Sequence, residues 1–409
     1  MRVFRVEPTL PSSPRQPRLV LYYPRGFSVA TWARLLAAGE RPEGSHWGMH
    51  QAAELGFLVV SSVDGGSERL HRLVARLTHR VLRFDLHHFW RNRRLLARAD
   101  VVWAMSEREL VPAVLGAWLR GARARPLLCG EAVWIGDEWA SYAWPRRWFL
   151  RRVLARADAL MVTTEGAAAR LRRILPGRPP VHVYRFGVPI AAFARCRRAG
   201  AAAAADGGTA RPVRVLAAGN DLRRDWSTVA DAFAGHARFE VTLLSRRAHV
   251  AAFAARGANL RFVPAGQLKS LLEWYAWADV MIVASLPNVH GAGTTMLLEA
   301  AAAGVPIVCA RAGGLDEYLP EDCARYVPAG DPAALRAAVA DLFRRPGEAR
   351  AQAERARLAL DRLELDSRAA VVRRCRPALP RHARRLGRLP PRARGAGRDG
   401  PRRRGRTRP

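Results

Sequence analysis

Short apolar and β-branched runs recur along this chain, and each is followed by a longer stretch whose apolar residues sit at helical spacing. The first half holds RLVLYY (18–23), FLVVSS (57–62), DVVWAM (100–105), PLLC (126–129), ALMVTT (159–164) and VHVYRF (181–186). Strand and helix in alternation predict a parallel sheet with helices on both faces. Residues 197–212, RRAGAAAAADGGTARP, break the pattern with little to bury and read as a linker. The alternation then restarts with VRVLAAG (213–219), FEVTLLS (239–245), LRFVPAG (260–266), VMIVAS (280–285), PIVCARA (306–312) and ARYVPAG (324–330). The expected class is therefore α/β, with two doubly wound Rossmann-like domains facing a cleft. In such sheets ligands sit beyond the carboxyl ends of the strands, where strand order reverses. The expected divisions are a leader (1–16), an N-terminal domain (17–196), the linker, a C-terminal domain (213–345), C-terminal helices that can return to the N-terminal domain (346–375) and a disordered tail (376–409).

The 409 residues suit two domains. No run of eighteen apolar residues marks a membrane span, and the N-terminus lacks the apolar core of a signal peptide. Five cysteines (Cys129, Cys196, Cys309, Cys323, Cys375) are irregularly spaced, which fits reduced thiols and no metal site. The net charge of +33 raises a nucleic-acid reading. Two features weaken it. Lys269 is the single lysine, so the charge is nearly all Arg, as a GC-rich coding bias would give. The tail alone holds thirteen Arg against one Asp, a net +12 of the +33. That tail reads as a solvated extension before it reads as an arm for anionic lipid or nucleic acid.

The chemistry concentrates in GAGTTMLLEAAAAGVPIVCARAGG, residues 291–314. VMIVAS is a buried strand, LPNVHGAGTT a loop and TMLLEAAAAG a helix. Gly291 and Gly293 let the backbone approach a ligand. Thr294 or Thr295 is expected to cap the helix, whose positive N-terminus suits a phosphate. Glu299 lies a turn inside, too deep for a cap, and an acid among Leu and Ala needs a partner. A ribose diol supplies one; a neighbouring Arg is the structural alternative. The first strand of the same domain ends in AAGNDLRRDW, placing Gly219, Asn220, Arg223 and Arg224 at the same cleft. Guanidinium groups there can grip phosphate.

These segments, in the order VLAAGNDLRRDWSTVADAF, LLEWYAWADVMIVASL, GTTMLLEAAAAGVPIVCARAGGLDEYL and YVPAGDPAALRAAVADLF, resemble the family 4 (group 1) glycosyltransferases of the GT-B fold across residues 213–343. The N-terminal half resembles the acceptor-side domain more loosely. The resemblance implies retaining transfer from a nucleotide-sugar, a substrate rather than a cofactor, to a hydroxyl. It implies ribose at Glu299 and diphosphate at Arg223 and Arg224. The family usually carries another Glu eight positions earlier; here that position is Gly291, after His290. Backbone amides of 291–294 and His290 would then meet the donor sugar, with Glu317 of GGLDEYL a weaker candidate.

Positive groups aimed at the leaving diphosphate would supply the main catalytic effect without a metal. On the acceptor side the candidates are Arg25 and Gly26 after the first strand, and Glu131 and Asp137 in GEAVWIGDEW. LRFDLHHFWRNRRLLARAD and YAWPRRWFLRRVLARAD interleave Arg with Trp and Phe, as membrane-surface helices do. The resemblance implies a lipid-linked or polysaccharide acceptor, contact with anionic membrane, and a place in the cytoplasm at the inner membrane face; nucleic acid is the disfavoured partner. The competing functions are a GT-B-type nucleotide-sugar epimerase and a non-catalytic protein binding anionic membrane or nucleic acid.

Overall fold

The computed structural model describes residues 16–41, 49, 52–53, 56–65, 84–121, 126–194, 211–265 and 268–375. Leader residues 1–15, linker residues 197–210 and the basic tail 376–409 lie outside the described residues.

Each apolar run of the sequence forms a strand: β1 (Arg18–Tyr22), β2 (Leu58–Ser61), β3 (Val101–Ala104), β4 (Leu127–Glu131), β5 (Ala159–Val162) and β6 (Val181–Val183) in the first half, then β7 (Val213–Ala218), β8 (Phe239–Ser245), β9 (Leu260–Pro264), β10 (Val280–Val283), β11 (Ile307–Ala310) and β12 (Arg325–Val327). They make two six-stranded sheets, ordered β2-β1-β3-β4-β5-β6 and β12-β11-β10-β7-β8-β9. Every pairing is parallel. Helices cover both faces, so the central strands are buried on both sides and read as continuous apolar runs. In β1, Leu19 and Leu21 enter one apolar layer while Val20 and Tyr22 enter the other. Several runs continue past the strand that they form. VRVLAAG outlasts β7 by Gly219 and VMIVAS outlasts β10 by Ala284 and Ser285. These overhangs leave the sheet at its carboxyl edge.

The helix Thr294–Ala303 is the hub of the C-terminal domain. All of Leu297 to Ala303 is buried, as expected of a helix apolar on every side. Its alanines admit two neighbours at close range, the short helix Ile190–Ala194 and the long helix Pro346–Cys375. Phe193 of the former meets Tyr275 edge to face at 5.8 Å, tying the exit of the N-terminal half to this layer. Gly304 stops the helix in the left-handed region at φ 71°, where a Cβ is disfavoured. The region after 345 is a single helix, and Ala349, Ala353, Ala356 and Leu360 are its buried stripe. Among the described residues, no helix is long and apolar enough to cross a membrane.

Gln352 fixes that helix in register. Its buried amide accepts from the Ile307 N–H at 3.1 Å and donates to the Ile307 carbonyl at 3.3 Å, closing the start of β11. Gln352→Ala leaves both backbone groups unmatched and should lower the unfolding free energy by about 2–3 kcal/mol. Urea unfolding followed by circular dichroism measures this; a change below about 0.5 kcal/mol would mean that the helix is held by its apolar stripe alone.

Candidate active site

Strand order reverses between β1 and β3 in one sheet and between β7 and β10 in the other. The two crevices face each other across a cavity of about 420 Å³. Pro24, Phe27, Met105 and Ser106 line it from the first crevice, and Gly219 to Asp221 with residues 290–296 from the second.

Arg224 is the buried cation of the donor side, 5% exposed. It precedes the helix Trp226–Phe233, which Asp225 caps through the Thr228 N–H. Its guanidinium donates to the Ser285 hydroxyl at 3.3 Å and the Ile282 carbonyl at 3.2 Å, while Nε has no partner among the described residues. Two glycines make room for it. A Cβ on Gly219 would stand 2.9 Å from Arg224 Nε, and one on Gly293 would stand 2.9 Å from Nη1. Both have positive φ, at 145° and 99°, so a side chain is excluded twice over. Burial lowers the Arg224 pKa to about 10, with Cys309 and Asp221 opposing, so it stays charged at neutral pH. Arg223 is half-buried and its carbonyl accepts from the Leu286 N–H; the cavity lining includes Arg224 and not Arg223.

The loop after β10 is held by its own polar groups. Ser285 donates to the Ala292 carbonyl at 2.9 Å, and the Asn288 side chain accepts from the Ala292 N–H at 3.0 Å. The expected threonine cap is not made. The helix starts from left-handed Gly293 with no side-chain cap, and the Thr294 hydroxyl donates backward to the Gly291 carbonyl at 2.8 Å. The physical reason is position: Thr294 is already the first helical residue, so its hydroxyl meets a carbonyl. The helix terminus is thus left without a capping oxygen at the cavity wall that Thr294, Thr295 and Met296 line.

Glu299 lies one turn deeper, 8% exposed. Its partner is the Tyr275 hydroxyl, which donates at 2.8 Å. Burial pushes its pKa up to about 8; Tyr275 and the charge of Arg41 from the N-terminal domain pull the other way. Asn220 lines the cavity, and its side-chain carbonyl accepts from the Arg246 N–H at 2.7 Å and the Ser245 hydroxyl at 3.3 Å.

His290 is engaged on both nitrogens. Nδ1 meets Asp137 at 2.5 Å and Nε2 meets Asp221 at 3.0 Å. Asp137 comes from the N-terminal domain and also accepts from the Val289 N–H at 2.9 Å. One imidazole therefore joins both domains. Around it, Thr164 donates to the Val289 carbonyl, Tyr318 donates to the Thr163 carbonyl, and Glu317 accepts from the Glu165 N–H and from Arg185 at 2.6 Å. Glu317 is thus placed in a latch between the domains. Asp221, Thr164, Arg185 and Tyr275 were not singled out from sequence. Asp221 lies within the quoted AAGNDLRR motif, but the others carry no local signal.

On the acceptor side, Glu131 ends β4 and lines the cavity, 2% exposed. Arg25 and Gly26 sit in the turn after β1, whose Pro24 and Phe27 reach the cavity instead. The Gly26 N–H is taken by Asp64 at 2.8 Å. Burial alone would raise Asp64, but the hydroxyls of Ser28 and Thr31 and the Gly26 N–H bring it below the ordinary carboxylate range. Cys129, Cys309 and Cys323 are buried in the core and form no disulfide among the described residues.

Burial alone would lower the His290 pKa; the hydrogen bonds and charges of Asp137 and Asp221 outweigh it and raise it to about 9. A pKa raised by folding stabilises the protein fully below the ordinary value of 6.5 and stops doing so as pH rises through 9. The stability difference between the wild type and His290→Asn should therefore be largest near pH 6 and shrink steadily toward pH about 9.5. Parallel thermal or urea melts across that range read it; a difference independent of pH would show that the imidazole is neutral.

Residues 217–345 match the model of the group 1 glycosyl transferases. No curated protein matches the chain in sequence. Sucrose-phosphate synthase from Thermosynechococcus elongatus has a similar structure, with TM-score 0.64 and 17% identity over 88% of this chain and 100% of that one. So has HepE from Anabaena, solved with UDP and glucose, with TM-score 0.63 and 13% identity over 87% and 98%. A UDP-forming trehalose-phosphate synthase from Burkholderia xenovorans, solved with glucose-6-phosphate, gives TM-score 0.57 and 15% identity over 87% and 99%. The resemblance noted in the sequence is thereby met independently in the C-terminal domain, and the two-sheet architecture is met over nearly the whole chain. Residues 217–345 thus carry the signature of the group 1 glycosyl transferases, and the chain as a whole has the two-domain GT-B fold of these structures.

Proposed function

We propose that the chain transfers a sugar, with retention, from a nucleotide-sugar to a hydroxyl acceptor in the assembly of a lipid-linked or polysaccharide product. One observation carries the donor half of this reading: the buried Arg224 guanidinium, with Nε unmatched, lies directly against the uncapped start of the Thr294–Ala303 helix. A cation and a helix N-terminus at one point favour a diphosphate. Arg223 adds charge from the rim. Ribose then falls one turn along at Glu299, whose carboxylate accepts from the diol while Tyr275 holds it.

In the transfer step the acceptor oxygen bonds to the anomeric carbon on the face that the diphosphate leaves. The bond from that carbon to the phosphate oxygen breaks, and the acceptor proton passes to a phosphate oxygen. The products are the glycoside and the nucleoside diphosphate. Negative charge grows on the leaving group, and preorganised Arg224 and the helix dipole stabilise it. In this reading no metal or cofactor enters, and the donor-sugar role of the absent acid falls to the amides of Gly291 and Gly293. Asp137 and Asp221 already engage His290, so its part is to hold the cleft.

The acceptor's setting is read from the N-terminal domain. The helices Leu86–Ala97 and Trp144–Leu154 flank Glu107–Leu119 and contain no acid. Trp90, Trp118, Trp144 and Trp148 are half-exposed or more, and Arg93, Arg156 and Arg152 lie over three of them. This chemistry suits the headgroup layer of an anionic membrane, and supports a cytoplasmic enzyme working at the inner face. Sedimentation with vesicles of phosphatidylglycerol should carry the protein down, and replacing the four Trp by Ser should leave only a salt-sensitive remainder. Failure of the wild type to sediment with the vesicles, or no loss on replacing the four Trp, would overturn this reading.

The donor reading is tested by thermal shift with UDP, GDP and ADP. One nucleotide should raise the melting temperature, and Glu299→Ala should abolish the shift. Because the ribose hydroxyls favour the charged carboxylate, binding should tighten severalfold from pH 6.5 to 8.5, and Glu299→Gln should remove that dependence. No shift with any of the three nucleotides would defeat the proposal.

A further inference from the structure

Three buried polar groups cluster at the N-terminal wall of the cavity, where Glu131 is the one that lines it. The Tyr184 hydroxyl and the Trp103 indole N–H are directed at the Glu131 carboxyl, but neither completes a well-formed hydrogen bond with it. Their residues are 2%, 4% and 1% exposed, and the Trp103 and Tyr184 rings stand edge to face at 6.4 Å. Tyr184 and Trp103 lie close enough to Glu131 to favour its charged form, yet burial dominates and pushes its pKa up to about 8. An incompletely matched buried carboxyl is costly, so Glu131, set in the cavity wall, is a group that a ligand's hydroxyl can complete.

The surroundings decide what ligand. Glu107 and Glu109 are buried behind Glu131, and their charges raise it further. Glu107 accepts from the N–H groups of Val133 and Trp134, and Glu109 accepts from Ser106, so both are fixed in place. Met105, Met161, Phe186 and Phe27 supply the rest of that wall. Among the described residues, no lysine or arginine of the N-terminal domain lines the cavity. A phosphate placed here would meet carboxyls and thioethers, with no cation of that domain to neutralise it.

We infer that Glu131 is the specificity-determining residue of the acceptor subsite, and that this subsite takes an uncharged hydroxyl compound with an apolar portion and rejects sugar phosphates. The inference rests on the glycosyltransferase reading for what happens to that hydroxyl, but the binding itself is separable. Glu131 meets the acceptor's hydroxyls from the cavity wall, while Tyr184 and Trp103 hold its carboxyl in place. The apolar wall covers the non-sugar part. This separates the chain from the trehalose-phosphate synthase of similar fold that was solved with glucose-6-phosphate.

The test is isothermal titration of the full chain with hexyl β-glucoside below its micelle concentration and with glucose 6-phosphate. Hexyl glucoside should bind at least about tenfold tighter than the phosphate. Glu131→Ala should weaken hexyl glucoside about tenfold, while Glu131→Gln, which keeps a donor and an acceptor, stays within about threefold of wild type. Thermal melts show whether each variant is folded, and the selectivity in the wild type stands as a test even if Glu131→Ala is not. Equal or tighter binding of glucose 6-phosphate overturns the inference. So does undetectable hexyl glucoside binding, or a folded Glu131→Ala that binds it like wild type. UDP shifts are measured on the same proteins. If UDP shifts none of them while hexyl glucoside binds selectively, the donor reading is in question and the subsite inference stands.

Discussion

A guanidinium buried beneath the donor crevice governs much of the C-terminal domain. Removing an arginine from water is expensive unless its donors are matched, and Arg224 is matched only in part, by one hydroxyl and one carbonyl. What surrounds it follows from accommodating it. Gly219 and Gly293 carry no side chain because the guanidinium fills that space. Ser285 turns toward it and in turn ties down the Ala292 carbonyl. The bridge between Arg224 and Ser285 docks the loop after β7 onto the loop after β10. The crevice formed by strand reversal is therefore rigid on its floor, and the unmatched Nε is the charge left over for a ligand.

The second constraint is the seam between the domains. It is built mostly from backbone carbonyls and N–H groups received by side chains of the other half: Thr164 with Val289, Tyr318 with Thr163, Glu317 with Glu165. Among the described residues, two ionic contacts reinforce it, Arg185 with Glu317 and His290 with Asp137. Backbone-directed contacts fix distance closely, because neither partner carries a long flexible stem. A crevice residue such as Gly291 thereby lies against Thr164 of the opposite domain, and the cavity is a joint product of both halves.

How much of this was legible depended on how local each determinant is. The twelve apolar runs specified twelve strands, since a strand buried on both faces declares itself through composition alone. The crevice glycines and Arg224 were legible because a strand end followed by Gly and a basic residue is a local pattern. The choice between Arg223 and Arg224 was not, since it turns on which side chain faces inward after the turn. The threonine cap was misread by a single residue: Gly293 in the left-handed region starts the helix, leaving Thr294 inside it. The tie between His290, Asp137 and Asp221 joins residues 69 and 153 positions apart, and sequence spacing holds no trace of it. Tyr275 as partner of Glu299 was hidden likewise, within LLEWYAWADVMIVASL, where nothing marks which residue faces the Glu299 helix.

The charges around the cavity are arranged asymmetrically, and the asymmetry constrains how a donor can lie. On the C-terminal side stand Arg224 and an uncapped helix terminus. On the N-terminal side stand Glu131 and, behind it, Glu107 and Glu109. His290 between them contributes less positive charge than its protonation suggests, because two carboxylates enclose it. A ligand with a doubly charged diphosphate at one end and a neutral sugar at the other has one favourable orientation in such a field, with its sugar toward Glu131. In the proposed transfer that orientation would put the anomeric carbon at the boundary between the two regions, with the departing diphosphate moving toward the cation. Under the proposed function the same field would select the donor's direction and disfavour a second anion at the acceptor end, and both effects would follow from which sheet supplies the arginine and which supplies the acids.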